Sequence, residues 1–231
     1  MKIKATTLRG TIFTQRIPLD NNTLQKILPL FDGYAVEMVP AGPEGPFPTM
    51  AFNWSLKSSK EDCRIVFGNA TIDIIKNVNT ESISDAITAF SIFCQTSFEN
   101  IFAKFGNPVS RMALAPSLKV ELENEDEFVE LTKSIASAKN FKDTPISTLS
   151  FTDVYRVDDK LCGQDVKFNF LSSFNTTEDL NTKSKDVVFS ADINTYQGVP
   201  YNFDNTHLHE FYQKVAGWFD EFYTFYFKNC K

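Results

Sequence analysis

Six aromatic residues, Trp218, Phe219, Phe222, Tyr223, Phe225 and Tyr226, crowd into nine consecutive positions near the end of the chain. They extend a period set by Leu208, Phe211, Tyr212 and Val215, whose spacing of three and four marks one face of a helix from Thr206 to Phe227. Successive helical residues rotate by about 100°, so these rings point in every direction around the axis. One sheet covers only one face of such a helix. The remaining rings must meet a second layer of this chain, a second copy or another protein, because large exposed apolar patches are uncommon on monomers. Phe219 and Phe222 continue the stripe and are expected in the core. Trp218 and Phe225 lie off it and, with Tyr223, are the candidate interface residues.

A second helix is written between Glu81 and Phe105, where Ile83, Ile87, Phe90, Cys94, Ser97, Ile101 and Phe105 form one stripe. Thr80 or Ser82 is placed to start it, and Gly106 and Pro108 to stop it. Two shorter helices are predicted over Asn22 to Phe31, distorted by Pro29, and over Glu125 to Ser137, where Asn124 and Glu127 resemble a capping box.

Strict alternation marks strands at Met50 to Leu56, Ile65 to Phe67, Ile72 to Ile74, Leu118 to Leu122, Val166 to Phe170 and Val187 to Ile193. Further strands are expected at Ile3 to Thr14, Tyr34 to Val39 and Ile146 to Val157. The reading is α+β, with two similar halves, residues 1–107 and 108–231, each running strand, short helix, three strands, long helix. Mostly antiparallel sheets with helices packed on one side follow, in what is expected to be one compact unit. Loops are expected at the proline-rich segment 40–48, at 176–185 and at 197–201.

Of the 231 residues, 42% are hydrophobic and 23% charged, which suits a globular protein. The 23 Phe imply a large core, or a core plus a buried interface. A formal net charge of −6 and no basic run argue against nucleic acid as a partner. No stretch is apolar enough to span a membrane, and the polar alternation after Met1 does not read as a signal peptide. The expected compartment is the cytoplasm, with Cys63, Cys94, Cys162 and Cys230 as reduced thiols and Cys94 as a small core residue.

Catalytic patterns are missing. His207 and His209 are the two histidines, and positions two apart on a helix face different sides, unlike zinc-binding spacings. No cysteine sits on a nucleophile turn, and neither a phosphate loop nor a G-x-S-x-G elbow occurs. The acidic run Glu121 to Glu127 leads into a helix, where carboxylates favour the dipole. Asp192, near a strand, is expected to be partly buried with a structural partner. No cofactor, metal or catalytic residue is therefore expected.

The strand ending Asp192-Ile193-Asn194-Thr195-Tyr196, then a loop, then a helix opening His207-Leu208-His209-Glu210-Phe211 and closing in aromatic residues, resembles a sporadically distributed, uncharacterised prokaryotic protein family. The likeness lies in the stretch from Val187 onward. It implies a bacterial or phage origin, similar length and element order, and a genomic context of mobile or defence genes. It carries over no catalytic residue.

Together these features point to a non-enzymatic interaction protein. An acidic surface suits a basic site on a protein partner, as in an antitoxin or inhibitor, and the aromatic helix suits an interface or self-association. The alternative is a small-molecule sensor with an aromatic pocket between the two halves.

Overall fold

The computed structural model describes residues 1–40, 52–136, 150–178, 185–199 and 201–227. Met50, most of the proline-rich segment, the start of the strand expected from Ile146, residues 179–184, Pro200 and Cys230 lie outside the described residues. In chain order the elements are β1 (Lys2–Thr14), α1 (Asn21–Ile27) continuing into a 3-10 turn (Leu28–Leu30), β2 (Tyr34–Pro40), β3 (Phe52–Ser58), β4 (Cys63–Phe67), β5 (Thr71–Thr80) and α2 (Ile83–Phe105). Then come β6 (Val109–Glu121), α3 (Glu125–Ala136), β7 (Ser150–Leu161), β8 (Gln164–Glu178), β9 (Lys185–Thr195) and α4 (Asn205–Phe227). The fold is α+β, one nine-stranded antiparallel sheet with four helices.

The strand order is β2-β3-β4-β5-β1-β6-β9-β8-β7. The first strand of each half, β1 or β6, stands at the middle, and the two pair with each other. Among the described residues the halves do not match element for element: four strands follow α1, where three were expected, and three follow α3. The extra one is β2, a short edge strand beyond β3. Its Val36 and Met38 remain exposed.

Register can be followed through all nine strands. One row runs Val36, Leu56, Ile65, Ile74, Gly10, Leu114, Ile193, Phe170, Tyr155. Its members from Leu56 to Phe170 are buried, and this face carries α2 and α4. The next row, on the opposite face, runs Glu37, Ser55, Val66, Asp73, Thr11, Ala113, Asn194, Asn169, Arg156. Alternating Cβ directions separate the two rows, so one chain pattern supplies an apolar face and a polar one.

The helices come down on the β1–β6 seam at Gly10. A Cβ there would overlap the Cys94 sulfur of α2 and lie 3.4 Å from the Tyr212 hydroxyl of α4. Tyr212 is fully enclosed and donates to the Ala113 carbonyl at 3.2 Å. Ser91 of α2 donates to the Tyr212 carbonyl at 2.7 Å, tying the helices together. Pro29 ends α1 in the 3-10 turn, and Gly106 closes α2 with a left-handed φ of 63°. No helix among the described residues is long and apolar enough to cross a membrane.

Candidate functional site

The groove of interest lies where α4 overhangs the edge strand β7. Strand alternation sends Asp153, Tyr155 and Val157 of β7 and Phe170 of β8 to the helix side. Helical spacing sends Trp218, Glu221, Phe222 and Phe225 of α4 toward them. They enclose about 540 Å³.

The floor is core. Phe170 is 7% exposed and Phe222 6% exposed, with ring centres 6.3 Å apart. Tyr155 forms one wall, 6.0 Å from Phe170 and 5.8 Å from Phe222. Burial, and then the nearby Tyr226 hydroxyl, push the Tyr155 phenol pKa well up, so it stays protonated at neutral pH. Trp218 forms the other wall, 5.4 Å from Phe170 and edge-on to Phe168 at 4.9 Å. Phe225 is 74% exposed at the rim.

The three candidate interface residues therefore separate. Phe225 is as open as its place off the stripe predicts. Trp218 is half-buried, so it is both core edge and groove wall. Tyr223 is half-buried too, but packs along α4 against Phe219 and Phe227 rather than lining the groove. Phe219 is wholly buried. The groove itself went unforeseen, because β7 and α4 are joined only by strand order.

Both histidines lie among hydrogen-bonding side chains at the start of α4. The Asp204 carboxylate accepts from the Thr206 and His207 amides at 3.0 and 3.2 Å, capping α4, and from the Thr206 hydroxyl at 2.6 Å. Its Oδ1 is also 2.6 Å from His207 Nδ1. These bonds, the Thr206 hydroxyl first, hold the Asp204 carboxyl far below the usual range. His209 lies beside Gln213 at 2.8 Å and Glu99 at 3.6 Å. No group of three His, Cys, Asp or Glu side chains suited to a metal occurs among the described residues.

Cys63, Cys94 and Cys162 are free thiols. Cys94 is inaccessible and burial pushes its thiol pKa well up. Cys63 is also buried, at the start of β4. Cys162 is exposed in the β7–β8 turn, where it and Gly163 take φ of 49° and 81°, as a two-residue hairpin turn demands. Asp192, half-buried, accepts from Asn194 at 2.9 Å, which is the structural partner expected.

The polar row also escaped the sequence. Asp73 accepts from Arg9 at 2.8 Å and from Thr11 at 2.6 Å. Across the seam, Asn169 donates to Asn194 at 3.1 Å and accepts from Arg156 at 3.1 Å. These groups satisfy one another on the face opposite α2 and α4, whereas Ser55 of the same row is buried with its hydroxyl unpartnered among the described residues.

No protein-family model matches the sequence, and no curated protein matches it significantly. Among solved structures, the chain is similar to a rolling circle replication initiator protein from Geobacillus stearothermophilus, with 10% identity and a TM-score of 0.29. That match covers 94% of this chain and 79% of the other. A likeness of this degree assigns no activity.

Proposed function

We propose that the protein is a non-enzymatic interaction protein that takes a protein partner into the groove between α4 and β7. One observation carries the reading: Phe225, three-quarters exposed, stands at the rim of a concave aromatic surface whose floor is the protein's own core. Rigid aromatic anchors in a concavity are what protein interfaces use for affinity. An acidic protein with such a groove suits a role covering a basic site on its partner, as in neutralisation of a toxin.

The test is comparative capture. Wild-type protein, a Trp218→Ala/Phe225→Ser variant and a Met38→Ser control at the opposite sheet edge are used as baits, with bound proteins identified by mass spectrometry. A partner held by wild type and control but lost by the groove variant supports the reading. A partner held by all three overturns it.

A small-molecule ligand is the second reading. The groove volume lies in the usual range for ligand pockets, about 300–1,000 Å³. The lining residues, Asp153 to Phe225, all belong to the second half, whereas the sequence expectation put a pocket between halves. A small molecule released by denaturing wild type but absent from the groove variant would favour it.

The proposal extends to the origin of the fold. Strands β5, β4 and β3 leave the seam on one side in the same reverse order as β9, β8 and β7 on the other. This order supports an internal duplication, in which residues 1–107 overlay 108–231 through a rotation near 180°. Halves that fail to overlay in this order would refute it.

A further inference from the structure

We infer that the anchor entering the groove is a guanidinium group, the side chain of an arginine presented by the partner protein. This rests on the groove being the docking site.

Two carboxylates, Asp153 and Glu221, line the groove beside its aromatic rings. Four neighbouring acids on these elements are already matched with cations, and Asp220 accepts from the Ser84 hydroxyl at 2.8 Å. Asp159 pairs with Lys214 at 2.8 Å, Asp158 with Lys167 at 3.7 Å, Asp165 with Lys160 at 3.7 Å, and Glu210 with Lys214 at 3.6 Å. Asp153 accepts from the Val154 amide at 2.9 Å, and neither it nor Glu221 forms an ion pair with any described residue. Two negative charges with no ion-pair partner among the described residues therefore flank one apolar slot, and the low-dielectric ring walls focus their field into it.

Aromatic faces add to that field, because the ring quadrupole attracts a cation lying over it. One cation already uses Trp218: Lys214 Nζ is 5.8 Å from its ring centre. Its charge is committed to Asp159, Glu210 and the Lys160 carbonyl, so it does not neutralise the groove. Guanidinium fits the remaining space better than ammonium. It is planar, stacks on rings, is more weakly hydrated and carries forked donors suited to carboxylates. Its apolar stem can lie along Phe170 and Phe222 while the charged end reaches Asp153 and Glu221.

The chain's two tryptophans make the test clean. Trp54 is 4% exposed, stacked on Phe67 at 3.8 Å and bonded to the Ile17 carbonyl, far from the groove in strand order. Nitrogen-15 NMR of the full chain follows both indole signals during titration with the capped tripeptide Ac-Leu-Arg-Leu-NH2, then with the same peptide carrying norleucine for arginine. The arginine peptide should shift Trp218 saturably, leave Trp54 still, and bind about fivefold to tenfold more tightly than the norleucine peptide. The Asp153→Asn/Glu221→Gln variant, with an unmoved Trp54 signal reporting an intact fold, should remove that preference. Equal binding of both peptides at Trp218 overturns the guanidinium inference and leaves the groove as a docking site. No movement of Trp218 with either peptide overturns both.

Discussion

Helices α2 and α4 are both 23 residues long and lie side by side on one face of the same sheet, yet they finish differently. The last turn of α2 holds Phe102 and Phe105 partly buried and then stops at Gly106, whose N–H bonds the Phe102 carbonyl at 2.7 Å. Its single strongly exposed large apolar side chain is Ile92. The last turns of α4 place Trp218 and Phe225 beside an edge strand and leave a concavity between them. Both helices satisfy the seam, but α4 carries more aromatic surface than the seam consumes. The surplus is what builds the groove.

The comparison breaks first if the two helices are unequal at the core. Phe98 of α2 and Phe219 of α4 are both wholly buried. Replacing either with Ala should cost about 3–5 kcal/mol, read by urea or thermal unfolding. A Phe219→Ala cost well below that of Phe98→Ala would show that α4 is only loosely held.

Gly10 sharpens it next, because both helices approach the same backbone there. Gly10→Ala forces its new methyl against the Cys94 sulfur and should cost about 1–3 kcal/mol. Adding Cys94→Ala should recover part of the loss. No recovery would assign the tight contact to Tyr212 of α4 instead.

The smallest difference lies at the helix starts. Ser82 opens α2 without a side-chain cap bond, whereas Asp204 caps α4. Asp204→Ala should cost about 0.5–2 kcal/mol at neutral pH, and Ser82→Ala less than about 0.5 kcal/mol. Because the folded Asp204 pKa is depressed, its contribution is complete above the unfolded value, about 3.9, and fades as pH falls below it. The gap between the two variants' melting temperatures should therefore narrow from pH 7 to pH 2 without closing, because the folded Asp204 carboxyl still holds its charge at pH 2. A gap that does not narrow would mean that the Asp204 charge is not what stabilises α4.

The long helices were legible because their periods run for 23 residues and end at residues with a reason to end them. Most strands were legible from alternation. Half of the Asn124–Glu127 capping box appears: the Glu127 amide donates to the Asn124 side chain at 3.0 Å, but the Glu127 carboxylate accepts from the Glu123 amide at 2.9 Å rather than from Asn124. Counting failed at the first half, where the alternations expected at Tyr34 to Val39, Met50 to Leu56, Ile65 to Phe67 and Ile72 to Ile74 correspond to four strands rather than three among the described residues. Sequence likeness of pattern overrode a simple tally, and the additional strand is an edge that no periodicity distinguishes from an inner one.

Within the groove, the sequence alone placed Trp218 and Phe225 off the core stripe, since the angular position of a helical residue follows from its number. It identified the overload of rings and the need for extra cover. It could not name Asp153, Tyr155 or Phe170 as their neighbours. Those enter because β7 takes the outer position and pairs Tyr155 with Phe170, 15 residues away by number and one strand away in space. Local pattern determines which face a side chain takes. Strand order and register, set by contacts distant in sequence, decide which faces meet.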